Sequence, residues 1–161
     1  MQELGARSRG SGNVYFTGGA TALLLGIREQ TIDVDLKLDP EPQGAFDAIY
    51  ELKRTLELNV ELVSPMDFVP VTADWKQRSL YIEREGEVSF FHFDLRAQVL
   101  SKIERGYAQD LDDAREFLRV GGISGADLRS YFGKVRSDLV RYPGLDADDL
   151  SHKLDRFLAG L

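Results

Sequence analysis

Cysteine is absent from this chain of 161 residues, which removes disulfide frameworks, thiolate zinc sites and cysteine nucleophiles at once. The lack of thiols fits a reducing compartment. Long hydrophobic runs are missing as well. The longest, ATALLLGI at residues 20–27, falls well short of the ~20 apolar residues that span a bilayer. No signal peptide is visible at Met1, so the expectation is a cytoplasmic protein with no membrane partner. Positive charge is outweighed: 20 Lys and Arg against 27 Asp and Glu give a formal charge of -7, with a pI near 4.9. Affinity for nucleic acid of any sequence comes largely from neutralised phosphates, so broad, non-specific nucleic-acid binding is not expected. An enzyme acting on an RNA end would need a local patch, for which Arg28, Lys53, Arg54, Lys102 and Arg105 are the cations on offer. What is present is a 43% hydrophobic composition, enough for one compact domain with a core that needs no staples.

No internal repeat or low-complexity segment stands out. The first dozen residues read as a short helix and a flexible lead-in. NVYFT at 13–17 is a strand candidate closed by Gly18-Gly19, and residues 20–27 form a short apolar helix broken near Gly26. TIDVDLKL alternates, with Ile32, Val34, Leu36 and Leu38 on one face and Asp33, Asp35 and Lys37 on the other. Residues 45–56 are expected as a helix carrying Phe46, Ile49, Tyr50 and Leu52 inward, and LNVELV as a strand with Asn59 and Glu61 opposite Leu58, Val60 and Leu62. A proline-bounded loop follows at 64–70, then two strands around Gly86 as a hairpin. Helices are expected at 95–105 ended by Gly106, at 111–119 capped by Asp110, from Ser124 to Pro143 with Asp127 completing a capping box, and at 147–159. The layout is α+β: an α/β core over residues 1–95, then a helical region over 96–161 packed on it.

The two aspartates of DVD raise a physical question. Residues two apart on a strand point the same way. At about 5 Å and an effective dielectric of about 20, two carboxylates repel by roughly 3 kcal/mol. A magnesium ion turns that penalty into a reason, because it takes one or two carboxylates together with phosphate oxygens and water. Glu61, on a neighbouring alternating strand, could add a third carboxylate to the same sheet face. Gly18 and Gly19 permit close backbone approach to a phosphate, Thr17 and Thr21 add hydroxyls, and Arg28 and Thr31 lie just before the aspartates. Each piece has a plainer reading. With 27 acidic residues, chance alone gives roughly 4 acid-x-acid pairs, and an exposed strand face normally carries charge.

The order of pieces is what resembles a known superfamily. TGG at 17–19, DVD at 33–35 and VEL at 60–62 match the hG[GS], [DE]h[DE] and h[DE]h signature of nucleotidyltransferases related to DNA polymerase β. Within that group the chain is similar to the small DUF6036-type proteins, relatives of AbiEii-like nucleotidyltransferase toxins. The segments VYFTGGATALLLG, REQTIDVDLKLDPEP, NVELVSPMDFVP and HFDLRAQVLSKIERGYAQDLDDAREFL carry the likeness. The resemblance implies a nucleotidyltransferase fold: a short mixed sheet with packed helices, then a helical C-terminal part. It implies that Asp33, Asp35 and Glu61 bind Mg²⁺ or Mn²⁺, that Gly18 and Gly19 line an NTP triphosphate with Thr21, Arg28 and Thr31 nearby, and that Lys102 acts on the transferring phosphoryl group with Asp113 orienting it. Asp110 and Asp113 also read simply as first-turn acids of a helix.

The implied activity moves a nucleoside monophosphate from an NTP to a hydroxyl of an RNA, such as a tRNA 3′ end, or of a protein, in a toxin–antitoxin or phage-defence setting. The implied partners are a nucleotide, that acceptor or an antitoxin protein, and a second copy of the chain. The alternative is the same fold kept as a non-catalytic module for a nucleotide or partner protein. Gly19 stands where many active members have serine, Gln109 where relatives often carry a base, and Asp94 competes with Glu61 for the third carboxylate. His92 and Asp94 are expected on one face of the last strand, with the histidine hydrogen-bonded near the site. Trp75 is expected in a loop, covering the core edge or stacking on a base. Tyr131, Phe132, Leu139, Phe157 and Leu158 are expected as core or as a self-association surface.

Overall fold

The computed structural model describes all 161 residues. In chain order they form α1 (Gln2–Arg7), β1 (Gly12–Phe16), α2 (Gly18–Leu24), β2 (Asp33–Leu38), α3 (Ala45–Thr55), β3 (Asn59–Glu61), α4 (Trp75–Arg78), β4 (Leu80–Glu85), β5 (Val88–His92), α5 (Leu95–Arg105), α6 (Ala108–Gly121), α7 (Gly125–Val135) and α8 (Ala147–Ala159). The chain divides into two compact units, Met1–Ser64 with Ser79–Phe93, and Pro65–Arg78 with Asp94–Leu161. The segment Pro65–Arg78 therefore goes with the C-terminal helices. Arg78 is tied to Asp94, and the Tyr142 hydroxyl donates to the Met66 carbonyl at 2.9 Å. No helix is long and apolar enough to cross a membrane.

The first unit holds a five-stranded mixed sheet in the order β3-β2-β1-β5-β4. β1 lies antiparallel to β2 and parallel to β5, β2 parallel to β3, and β4 antiparallel to β5. Strand alternation decides the core. Val14, Phe16, Leu36, Val88 and Phe90 share one face and pack with Leu4 of α1 and Ala48, Ile49 and Leu52 of α3. Phe16 stacks on Phe90 with centroids 6.0 Å apart. The other face carries Tyr15 stacked on Phe91 at 5.1 Å, with Tyr81 edge-on to Phe91, Lys37 of β2 opposite Tyr15, and further along β2 its two acids.

Several expectations shift here. Ile32 is 88% exposed and precedes the strand, which starts at Asp33, because the Thr31 hydroxyl donates to the Asp33 carbonyl and makes a turn there. Phe46 and Tyr50 lie exposed on α3, whose buried stripe is the smaller set Ala45, Ala48, Ile49 and Leu52. That stripe follows the i, i+3, i+4, i+7 rule, and its alanines let α1 approach. Leu58 and Leu62 are exposed, since β3 is only three residues long.

The second unit is helical, as the α+β layout requires. α5 is capped at its start by Asp94, whose carboxylate accepts the Arg96 amide, and at its end by Gly106 in the left-handed region. Ser124 and Asp127 form the expected capping box on α7. Three boundaries move. α6 starts at Ala108, which makes Asp110 a first-turn residue rather than the cap. α7 stops at Val135, well before Pro143, and continues as a 3₁₀ turn over Arg136–Arg141. Trp75 opens a short helix and is buried, with the Lys76 ammonium 5.6 Å from its ring centroid. Tyr131, Phe132, Leu139 and Phe157 are buried, and Leu158 is half-buried.

Candidate functional site

The parallel pairing of β2 and β3 puts Asp33 opposite Asn59, Val34 opposite Val60, and Asp35 opposite Glu61. Since alternate residues share a face, the four polar side chains form one square on the sheet, and Val34 and Val60 turn toward the apolar side. Asp33 and Asp35 are half-buried, while Asn59 and Glu61 are exposed. The Asn59 Nδ2 donates to Asp33 Oδ1 at 2.6 Å and to Glu61 Oε1 at 3.0 Å. Like charges are thus gathered by a neutral amide. Nothing in the alternation of LNVELV singled out Asn59 from any other polar strand residue, and only its register opposite Asp33 does so.

The glycine turn approaches this square from β1. Thr17 donates its amide to the Asp35 carbonyl at 3.0 Å and its hydroxyl to the Val63 carbonyl at 3.1 Å. Gly18 has φ +55, and a Cβ there would sit 2.9 Å from Asp35 Oδ2. A side chain at 18 would therefore be strained and would press on the carboxylate. At Gly19 a Cβ would lie 2.3 Å from Thr31 Oγ1 and 3.5 Å from Arg28 Nη1. The glycines, Asp35, Thr31 and Arg28 are consequently brought together, although they are spread over eighteen positions of sequence. The Thr31 hydroxyl fills the space that a serine at 19 would need, so a hydroxyl is present there after all, from a different residue. Thr21 lies elsewhere. It is fully buried and donates to the Phe16 carbonyl at 2.8 Å, bracing the turn from inside.

Lys102, Asp110 and Asp113 belong to the second unit. The Lys102 ammonium lies 3.0 Å from Asp110 Oδ1 and 2.6 Å from Asp113 Oδ2, and all three side chains are buried. The face of Phe117 lies 5.6 Å from the same nitrogen. Arg105 Nε approaches Asp110 Oδ2 at 3.2 Å, but that oxygen has no hydrogen-bond partner, so the contact is Coulombic. Asp94, the competitor for the third carboxylate, is fully buried and committed. It caps α5 and receives Arg78 Nε at 2.9 Å. Arg78 also meets Asp74, and its hydrogen bond, with that from Thr72, holds the Asp74 carboxyl down to about 2. His92 does not share a strand face with Asp94, because β5 ends at His92. Nor is it hydrogen-bonded as expected: its Nδ1 is buried without a partner, and burial pushes its pKa down to about 4.

Fit to a divalent cation rests on the donor set. Asp33 and Asp35 offer hard carboxylate oxygens on one face, with a side-chain-free turn beside Asp35. No group of three or more His, Cys, Asp or Glu is arranged as a metal cage. Two carboxylates completed by phosphate oxygens and water are what magnesium uses with nucleotides, in preference to an all-protein cage, so the residues fit that use.

A family model described as a nucleotidyltransferase of unknown function (DUF6036) matches residues 1–136. No curated protein and no solved structure matches the chain.

Proposed function

Since the chain belongs to this nucleotidyltransferase family, we propose that it transfers a nucleoside monophosphate from an NTP to a hydroxyl acceptor, using Mg²⁺ or Mn²⁺ held by Asp33 and Asp35. The observation that carries the reading is the square of Asp33, Asp35, Asn59 and Glu61 beside the Gly18-Gly19 turn. A bound cation supplies charge neutralisation for the triphosphate and a lower pKa for the attacking hydroxyl. The protein's own groups do the rest. Gly18 and Gly19 leave the phosphates a bare backbone to approach. Arg28 and Thr31, gathered at Gly19, contact phosphate oxygens, where a guanidinium gives charge-assisted bonds. Glu61, exposed and in register with Asp35, accepts the acceptor's proton as its oxygen bonds to the α-phosphorus and the bond to pyrophosphate breaks. Lys102 and Asp113 are left outside this chemistry, because the ammonium already serves two buried carboxylates.

The acceptor is a hydroxyl of an RNA 3′ end, tRNA included, or of a partner protein, in a toxin–antitoxin or defence role. The test uses each α-³²P-labelled NTP with Mg²⁺ or Mn²⁺, offered to total tRNA and separately to cell protein, beside the Asp33→Ala/Asp35→Ala double variant. Label transferred by the native chain and not by the variant supports the reading and identifies the acceptor. Absence of transfer with every NTP and both acceptors, by protein that melts cooperatively, removes it.

A further inference from the structure

The amide of Asn59 has both hydrogens of Nδ2 engaged, one by Asp33 and one by Glu61. Its orientation is dictated by charge. Turned the other way, its carbonyl oxygen would face two acceptors with no proton to give. The backbone register that sets Asn59 opposite Asp33 and Glu61 opposite Asp35 makes this the only uncharged side chain in the square. A neutral donor gathers the carboxylates but leaves their summed charge in place, where a lysine at 59 would have cancelled half the charge of the two it joins.

We propose that Asn59 is a place-holder at the cation site: its Nδ2 holds Asp33 and Glu61 together, and a cation held by Asp33 and Asp35 would take over the bond that Nδ2 makes to Asp33. The inference rests on the metal-binding part of the proposed function and is independent of the transfer step. Asn59 is thus a positioning residue with two consequences. It keeps the strand face stable without metal, and it weakens metal binding, because a charge-assisted hydrogen bond is surrendered on loading.

The experiment is Mn²⁺ titration followed by electron paramagnetic resonance, with thermal melts, on the full chain without nucleotide: native, Asn59→Ala and Asn59→Asp. Metal-free Asn59→Ala is expected to melt several degrees below the native chain, and saturating Mn²⁺ should close most of that gap. Its Kd for Mn²⁺ should be about tenfold tighter, the scale of one charge-assisted hydrogen bond no longer surrendered, and that of Asn59→Asp tighter still. Should Asn59→Ala fail to fold without metal, folding on addition of Mn²⁺ supports the proposal and failure in both conditions overturns it. An equal melting gap with and without Mn²⁺, or unchanged Mn²⁺ affinity, reduces the amide to an ordinary surface hydrogen bond and overturns the proposal, as does absence of Mn²⁺ binding. Expected Mn²⁺ behaviour without label transfer would leave Asn59 as assigned and remove only the transferase reading.

Discussion

Asp110 and Asp113 in the second unit and Asp33 and Glu61 in the first are both pairs of acids joined through one shared nitrogen. In the second unit that nitrogen is the Lys102 ammonium, and the group is buried. In the first it is the Asn59 amide, and the group faces solvent. A lysine between two aspartates cancels half their charge and occupies the space between them. The group is then a finished piece of structure that holds α5 to α6. An amide cancels no charge, so the carboxylates keep their summed charge for a cation, which must compete only with the hydrogen bonding to Asn59. The lesson is that acid count marks neither site. What separates the two groups is whether the shared nitrogen carries charge.

The largest effect is expected at Lys102. Lys102→Met strands two buried carboxylates and should cost about 3–5 kcal/mol, the usual penalty for breaking a buried ion pair, read by urea denaturation. Adding Asp110→Asn and Asp113→Asn should return most of it. A loss under 1 kcal/mol would mean the triad is solvated, and the contrast with the first unit would vanish. Next comes Asp33→Asn with Asp35→Asn. Nucleotide transfer should fall by more than about 10²–10³, the scale for removing a single electrostatic stabiliser of a transition state. The melting temperature should change by no more than a few degrees, because relief of like-charge repulsion offsets the weaker bond from Asn59. A large drop in melting temperature would put these acids in the structural class beside Asp110.

A third prediction concerns acid. Burial lowers the folded pKa of His92 from 6.5 to about 4. A proton therefore binds the unfolded chain more readily. The stability from the neutral ring is complete above about pH 6.5 and is lost as pH falls toward 4, by up to roughly 3 kcal/mol. Denaturation midpoints at pH 7 and pH 4.5 measure it, and His92→Met should flatten the profile in that window. The smallest effect is Ser124→Ala, which breaks the capping box of α7 and should cost about 1 kcal/mol. The transfer activity should stay unchanged.

Legibility from sequence followed the range of the forces involved. Strand alternation in DVDLKL, the turn at Gly86, the left-handed stop at Gly106, the Ser124 cap and α8 over Ala147–Ala159 rest on interactions within a few residues, and all were readable. Boundaries set by longer reach were not. Asp110 resembled a cap until its pairing with Lys102 showed a first-turn residue, and Phe46 looked like core until α3 turned its alanines inward. At the site, the sequence gathered Asp33 with Asp35 and marked the glycine turn, because period two and the freedom of glycine are local properties.

Spacing along single segments sets the α+β order of elements and the two carboxylates on one strand face, and the order of those segments marks the family. Tertiary structure alone decided that Thr31 supplies the hydroxyl beside Gly19, that Asp94 is a buried cap paired with Arg78, and that Asn59 stands between Asp33 and Glu61. Each of those relations includes a contact between residues twelve or more positions apart. Only strand register and helix packing bring them within the few ångströms over which hydrogen bonds and steric exclusion act.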